Sequence, residues 1–300
     1  MGFTSFEGLL GGWAGRGAGH RVVTWGLASV IALGAVGCGG QEQPTEEPRL
    51  STQAQAIQED NGLSLNGLSL NGLSLNGLSL NGLSLNGLHT GDFLTWFDGN
   101  PEGHSALMGY MVRCAVPAGE SRTFTHPSTG RQYTWSGALG LAPNWAGGAP
   151  ATVEEQQVIT SCLGAHANNY GVHVTMSVLG RGADGMPIPF SAGELSTYSR
   201  REACFFGNVF TSEGLFAGND RGDLGTHERS ARPCGLTKAG VTSNETCPQV
   251  QRIGRCEEHC SLEPNGNYYT QCSLGGSAYK VLTTRMRPLD FQACASGNCP

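Results

Sequence analysis

Ten cysteines, Cys114, Cys162, Cys204, Cys234, Cys247, Cys256, Cys260, Cys272, Cys294 and Cys299, lie downstream of an eleventh, Cys38, in a chain of 300 residues. Cysteine at this density constrains the fold more than any other feature, because its state depends on the compartment in which the chain folds. Residues 22 to 37, VVTWGLASVIALGAVG, form an apolar run preceded by Arg16, His20 and Arg21 and followed directly by Cys38. A basic segment, an apolar segment and small residues before a cut site make a secretory signal. The run is shorter than the roughly 20 apolar residues that cross a bilayer core, so a removable leader is expected over 1–37. Export to an oxidising compartment then predicts that the ten downstream cysteines pair as five disulfides. Three of them precede residue 217 and seven follow it, so complete pairing requires at least one bridge between the two segments.

Ala35-Val36-Gly37-Cys38 resembles a bacterial lipobox, in which the cysteine thiol takes a lipid before the leader is cut. Cys38 is therefore the expected lipid-attachment residue, and a membrane is the expected partner through that anchor. Residues 39 to 60, GGQEQPTEEPRLSTQAQAIQED, are polar and acidic without apolar periodicity, so 38–60 is read as a lipidated cysteine and disordered tether. As a random coil those 22 residues span about 25 Å. Next, NGLSL recurs five times from Asn61 to Leu85 and closes with Asn86-Gly87-Leu88. Asn-Gly favours a type I′ turn and Leu-Ser-Leu alternates like a short strand. Eleven of these 28 residues are leucine, too much apolar surface for a solvated spacer, and this predicts self-association through the repeat at 61–88.

The leader, the acidic tether and the NGLSLNG repeats together resemble lipoproteins of myxobacterial type, a group with no assigned activity. The resemblance covers residues 1 to 88 and implies an outer-membrane or cell-surface location. The excess of arginine, 16 of 18 basic residues, suits a GC-rich genome. With a net charge of −6 and no basic stripe, nucleic acid is excluded as an expected partner.

From residue 89 onward an α+β fold is expected, a small antiparallel sheet with one or two helices over 89–216. A disulfide-rich, loop-dominated subdomain packed on it is expected over 217–300. Arg122-Thr-Phe-Thr-His126 and Arg131-Gln-Tyr-Thr-Trp135 flank Pro127-Ser-Thr-Gly130 and predict a hairpin. A strand is expected at Leu107 to Val116. Thr152-Val-Glu-Glu155 matches a capping box and predicts a helix from Val153 to about Asn169. A half-buried strand follows at Val172 to Val178, a short helix begins at Ser191, and a last strand spans Ala278 to Met286.

No recognised catalytic motif accompanies these elements. His166 and His173, with Glu155, are the candidates for an acid–base site and carry the alternative reading of an exported hydrolase. Tyr133, Trp135 and Trp145 with Asn144 are candidates for stacking on a carbohydrate or other envelope component. Neither a cofactor nor a metal is expected. A zinc set of Cys247, Cys256, His259 and Cys260 is disfavoured, because adjacent His and Cys do not readily ligate one ion and an oxidising compartment favours disulfides. The leading functional expectation is a surface binding or adhesion module of the cell envelope.

Overall fold

The computed structural model describes residues 59–61, 63–64, 87–168, 174–211, 213–220 and 250–295. All belong to one compact unit, Thr52–Pro300. The leader, Cys38, most of the tether, repeat residues 65–86 and residues 221–249 lie outside the described residues.

The elements run β1 Glu59–Asn61, β2 Leu63–Ser64, α1 Gly91–Gly99, α2 Pro101–Ala115, β3 Ser121–Thr125, β4 Gln132–Ser136, α3 Pro143–Ala146, α4 Val153–His166, β5 Ala167–Asn168 and β6 Val174–Gly180. They continue as α5 Ala192–Thr197, β7 Arg200–Asn208, β8 Gly214–Asn219, β9 Val250–Arg255, α6 Cys256–His259, β10 Cys260–Leu262, β11 Tyr269–Leu274, β12 Ser277–Tyr279, β13 Val281–Met286 and α7 Pro288–Ala295. The chain is thus a mixed α/β protein. Its six-stranded sheet has the order β1-β6-β13-β7-β8-β9 and is antiparallel except between β8 and β9. A smaller sheet, β10-β11-β12, is antiparallel throughout.

The expected hairpin forms as β3 and β4, with Phe124 opposite Tyr133. Helix α4 starts at the expected capping box, where Thr152 Oγ1 accepts from the Glu155 amide and Glu155 Oε2 accepts from the Thr152 amide. The strand expected at Leu107 to Val116 is instead the body of α2. Asn100 caps that helix by accepting from the Gly103 amide, and Pro101 occupies its first turn. Leu107, Met108, Met111, Val112 and Ala115 recur at helical spacing and are buried on one side. The cap decides the element where the apolar run alone reads as a strand.

The segment 217–300 departs from expectation in two ways. Its described residues are rich in strands, not dominated by loops, and β13 lies between β6 and β7 in the middle of the main sheet. The two segments therefore share a sheet and a core, so 217–300 is not a subdomain laid against 89–216. Lys280 separates β12 from β13, and α4 supplies the hydrogen bonds there: Gln157 accepts from the Lys280 amide and donates to the Ala278 carbonyl, while Ser161 Oγ donates to the Lys280 carbonyl. Helix α4 lies close on the sheet at Gly164, where a Cβ would stand 2.8 Å from Leu215 and 3.0 Å from Phe205. A larger residue there would force the Leu215 and Phe205 side chains to shift.

The tether and repeat also contribute. Glu59 and Asp60, expected to be disordered, pair with β6 at its free edge, as does Asn61. Leu63 and Ser64 of the first repeat copy pair in parallel with β5. A polar segment without a core of its own gains order here by adding backbone hydrogen bonds to an edge. Of the described residues, no helix is long and apolar enough to cross a membrane.

Candidate functional site

The two faces of the main sheet differ. One packs Met176, Val178, Ala203, Phe205, Leu215 and Leu282 into the main apolar core. The other carries a smaller cluster of Cys204, Phe206, Phe216, Tyr269, Tyr279 and Val281 beside the three-stranded sheet. Beyond the end of that second cluster, where β7, β8 and β13 run out, polar side chains replace apolar ones around a cavity of about 470 Å³. Arg200, Arg201, Asp220, Asn267, Arg285 and Phe291 line it.

Each wall is held by named bonds. Arg201 Nε donates to Asp220 at 2.6 Å and its Nη1 to the Gly266 carbonyl at 2.7 Å. The Tyr269 hydroxyl donates to the other Asp220 oxygen, and the Arg201 guanidinium lies 5.7 Å above the Tyr269 ring centroid. Arg285 is buried and donates to the carbonyls of Tyr198, Ser199 and Asn267 at 2.8, 3.0 and 3.1 Å. A guanidinium has five N–H donors, and these bonds take two from Arg201 and three from Arg285, so both keep donors for a ligand. Among the described lining residues, three arginines against one aspartate give a net charge of +2.

The loop that closes the cavity is fixed from below. Glu263 is buried and its carboxylate accepts from the amides of Asn265 and Asn267 at 2.9 and 2.6 Å. Gly266 takes the positive φ of 75° that this turn requires. Desolvation would raise the Glu263 pKa, but the hydrogen bonds from Asn265 and Asn267 outweigh it and hold the carboxyl below the ordinary glutamate range. Burial raises the Tyr269 pKa, and the bond to Asp220 raises it further, so the phenol stays a donor. Burial, then the adjacent Arg201 charge, lower the Arg285 pKa. On the flank, burial raises the Glu194 carboxyl against the opposing influence of Ser177, the Ser191 backbone and Arg285. The site as a whole is a preformed set of cationic donors with one aromatic edge, suited to gripping an anionic group.

The residues singled out in the sequence lie elsewhere. Glu155 and His166 sit at opposite ends of α4, eleven residues and therefore about 16 Å apart along the axis. The Glu155 carboxylate is fully engaged at the two helix starts, accepting from Asn144, Trp145 and Thr152 amides. His166 is buried with Nδ1 2.8 Å from the Cys162 carbonyl, and His173 lies outside the described residues. No acid–base pair of Glu155 and His166 forms. Trp135 and Trp145 are buried, Trp135 donating to Ser105 and Trp145 meeting Phe210 edge-on, so neither ring offers a face for stacking. Tyr133 is half-buried against Phe97, and Asn144 is exposed.

Among the described residues three disulfides form, Cys114–Cys162, Cys204–Cys256 and Cys260–Cys272. Cys204–Cys256 is the required bridge between the two segments. Cys234, Cys247 and Cys299 lie outside the described residues, as does the side chain of Cys294. None of the cavity arginines stood out in the sequence. The available signal was a charge inside an otherwise uncharged strand, Arg285 in VLTTRM, since a lone cation on a buried strand needs acceptors around it. Compared with models of protein families, with curated proteins and with solved structures, the chain matches none.

Proposed function

We propose that the protein is an exported envelope lipoprotein, anchored through Cys38, whose folded unit binds an anionic ligand, with an acidic saccharide of the envelope or its surroundings as the ligand class. The observation that carries this reading is the cavity with Arg200, Arg201 and Arg285 around it and Asp220 as the one acid among the described lining residues. Arginine forks bind carboxylates in two-point geometry, Asp220 and Asn267 offer acceptors and donors for hydroxyls, and Phe291 offers an apolar edge for a sugar ring. Three disulfides accord with folding in an oxidising compartment. The lipobox resemblance at Ala35-Val36-Gly37-Cys38 supports the anchor, and the leucine-rich repeat supports clustering of several copies on one surface, which raises avidity for a polymer. A disulfide-rich segment over 217–300 would then brace the binding face.

Calorimetric titration of the purified chain with oligogalacturonate and with neutral galactose oligomers tests the binding. The acidic oligomer is expected to bind and the neutral one not. Arg201→Ala should weaken binding about tenfold or more, as expected for one charge-assisted fork. Equal binding of both oligomers, or an unaltered Arg201→Ala titration, overturns the ligand class. Metabolic labelling with a fatty acid tests the anchor, and incorporation should vanish in Cys38→Ala.

A further inference from the structure

Four cysteines from four elements meet beside the smaller core cluster. Cys204 comes from β7, Cys256 starts α6, Cys260 starts β10 and Cys272 lies on β11. They are joined as Cys204–Cys256 and Cys260–Cys272, and the two bridges are themselves adjacent. Sγ of Cys260 is 3.8 Å from Sγ of Cys204, and the sulfurs of Cys204, Cys260 and Cys272 all lie within 4.8 Å of one another. Four thiolates about 2.3 Å from a tetrahedral zinc ion are spaced about 3.8 Å apart. Three of the four sulfurs therefore already lie near the separation a single ion demands, and the fourth, Cys256, is bonded to one of them.

The surroundings fit such a centre. Cys256 and Cys260 are separated by one turn of α6, within the spacing common to paired zinc ligands. Cys204, Cys256 and Cys272 are buried while Cys260 is half-buried, so the cluster is closed except at one rim. Gly218 leaves both inner sulfurs room: a Cβ there would stand 3.0 Å from the Cys204 sulfur and 3.1 Å from that of Cys256. This is not the set weighed from the sequence. His259 Nε2 is turned to the Ile253 carbonyl at 3.0 Å, and Cys247 lies outside the described residues; Cys204 and Cys272, distant in sequence, take their places.

We propose that the paired bridges are a redox-convertible site which, once reduced by a dithiol, holds one zinc ion on Cys204, Cys256, Cys260 and Cys272. Each disulfide takes two electrons and two protons from a dithiol, and each dithiol leaves as a disulfide. The four thiols so formed release four protons as Zn²⁺ binds, giving a four-thiolate complex of charge 2−. Oxidation of that complex by a disulfide-forming oxidant expels the ion and restores both bridges. The same four sulfurs thus brace the sheet in either state.

The test uses the full chain, reduced without oxygen by a phosphine, desalted and titrated with Zn²⁺ or Co²⁺. One ion per chain is expected, with the near-ultraviolet thiolate-to-cobalt absorption of an all-sulfur tetrahedral site. Bound zinc should slow alkylation of the four cysteines by about tenfold or more relative to Cys114 and Cys162, mapped by mass spectrometry. Cys272→Ser should weaken zinc binding by about a hundredfold, and Cys114→Ser with Cys162→Ser should leave it unchanged. Circular dichroism follows the fold; if reduction opens the sheet, zinc should restore it, because ion binding and folding are then one equilibrium. No stoichiometric uptake, protection of a different set of cysteines, a Cys272→Ser chain that binds like the unaltered one, or a reduced chain that zinc does not refold would each overturn the proposal.

Discussion

The aromatic layer of α1, α2, β3 and β4 and the cystine-bearing layer of β7, β8 and β10 to β13 solve the same problem by different physics. In the first, Phe97 touches Phe93, Phe124, Tyr133 and Trp135 at ring-centroid distances of 4.9 to 6.4 Å, so aromatic burial dominates, with one disulfide, Cys114–Cys162, tying α2 to α4. In the second the apolar cluster is small, two disulfides cross it, and buried Arg285, Glu194, Glu202 and Glu263 take positions that apolar residues hold in the first. A layer with little apolar area to bury leans on cross-links and polar networks, and donors that those networks do not use are left at a surface where a ligand can use them. The cavity lies in the second layer for that reason.

The sharpest way to break the contrast is to empty the apolar side. Phe97 is fully buried at the centre of that layer, and Phe97→Ala should destabilise the protein by about 5 kcal/mol in denaturant unfolding, the upper range for a core aromatic. A loss below about 1 kcal/mol would show that the apolar layer does not carry the fold. Next in size is the cross-link between α2 and α4. Cys114–Cys162 spans 48 residues, and its removal by paired Ala substitutions should cost about 4 kcal/mol from loop entropy. Removing Cys260–Cys272, which spans 12, should cost about 3 kcal/mol. Reversal of that order would mean that the second layer depends on its cross-links for more than chain entropy.

Glu155→Ala comes third. It strands the amides of Asn144, Trp145 and Thr152 and should cost about 2 kcal/mol with no change in oligosaccharide binding, since Glu155 lines no part of the cavity. The smallest effects are on pH dependence, and the two buried glutamates of the second layer have opposite signs. Glu194 is raised above 4.5, so its folded form holds a proton that the unfolded chain gives up first; stability from it is present below 4.5 and lost as pH rises through the folded pKa. Glu263 is lowered, so its contribution is present above 4.5 and lost as pH falls through the folded pKa. Melting curves from pH 3 to pH 7 should therefore rise more steeply with pH in Glu194→Gln and less steeply in Glu263→Gln than in the unaltered chain, by about a few degrees over the range. Shifts of the same sign in both variants would contradict these assignments.

Elements whose instructions are local were legible in the sequence. The Thr152–Glu155 capping box and the Pro127–Gly130 turn each act over a few residues and appear where they were expected. The strand expected to be half-buried over Val172 to Val178 forms over Val174–Gly180 and is buried on both faces, at Ser177 and Leu179 as at Met176 and Val178, because β1 and β13 pair with it on either side and both faces are covered. The α2 helix was misread because Leu107 to Val112 is apolar enough for a strand, although Asn100-Pro101 carried the correct start signal. Tertiary structure alone decided the rest. Nothing local states that β13 enters between β6 and β7, that Glu59 to Asn61 completes an edge, or that Trp135 and Trp145 turn inward, because hydrogen bonds and burial across such distances depend on which surfaces the whole chain brings together. The parity of the cysteines required a bridge between the segments, and only the fold chose Cys204 and Cys256 to make it. Arg201 and Arg285 lie 84 residues apart in the sequence yet face one another across two neighbouring strands. Their shared cavity is a product of strand order, which no local pattern of residues encodes.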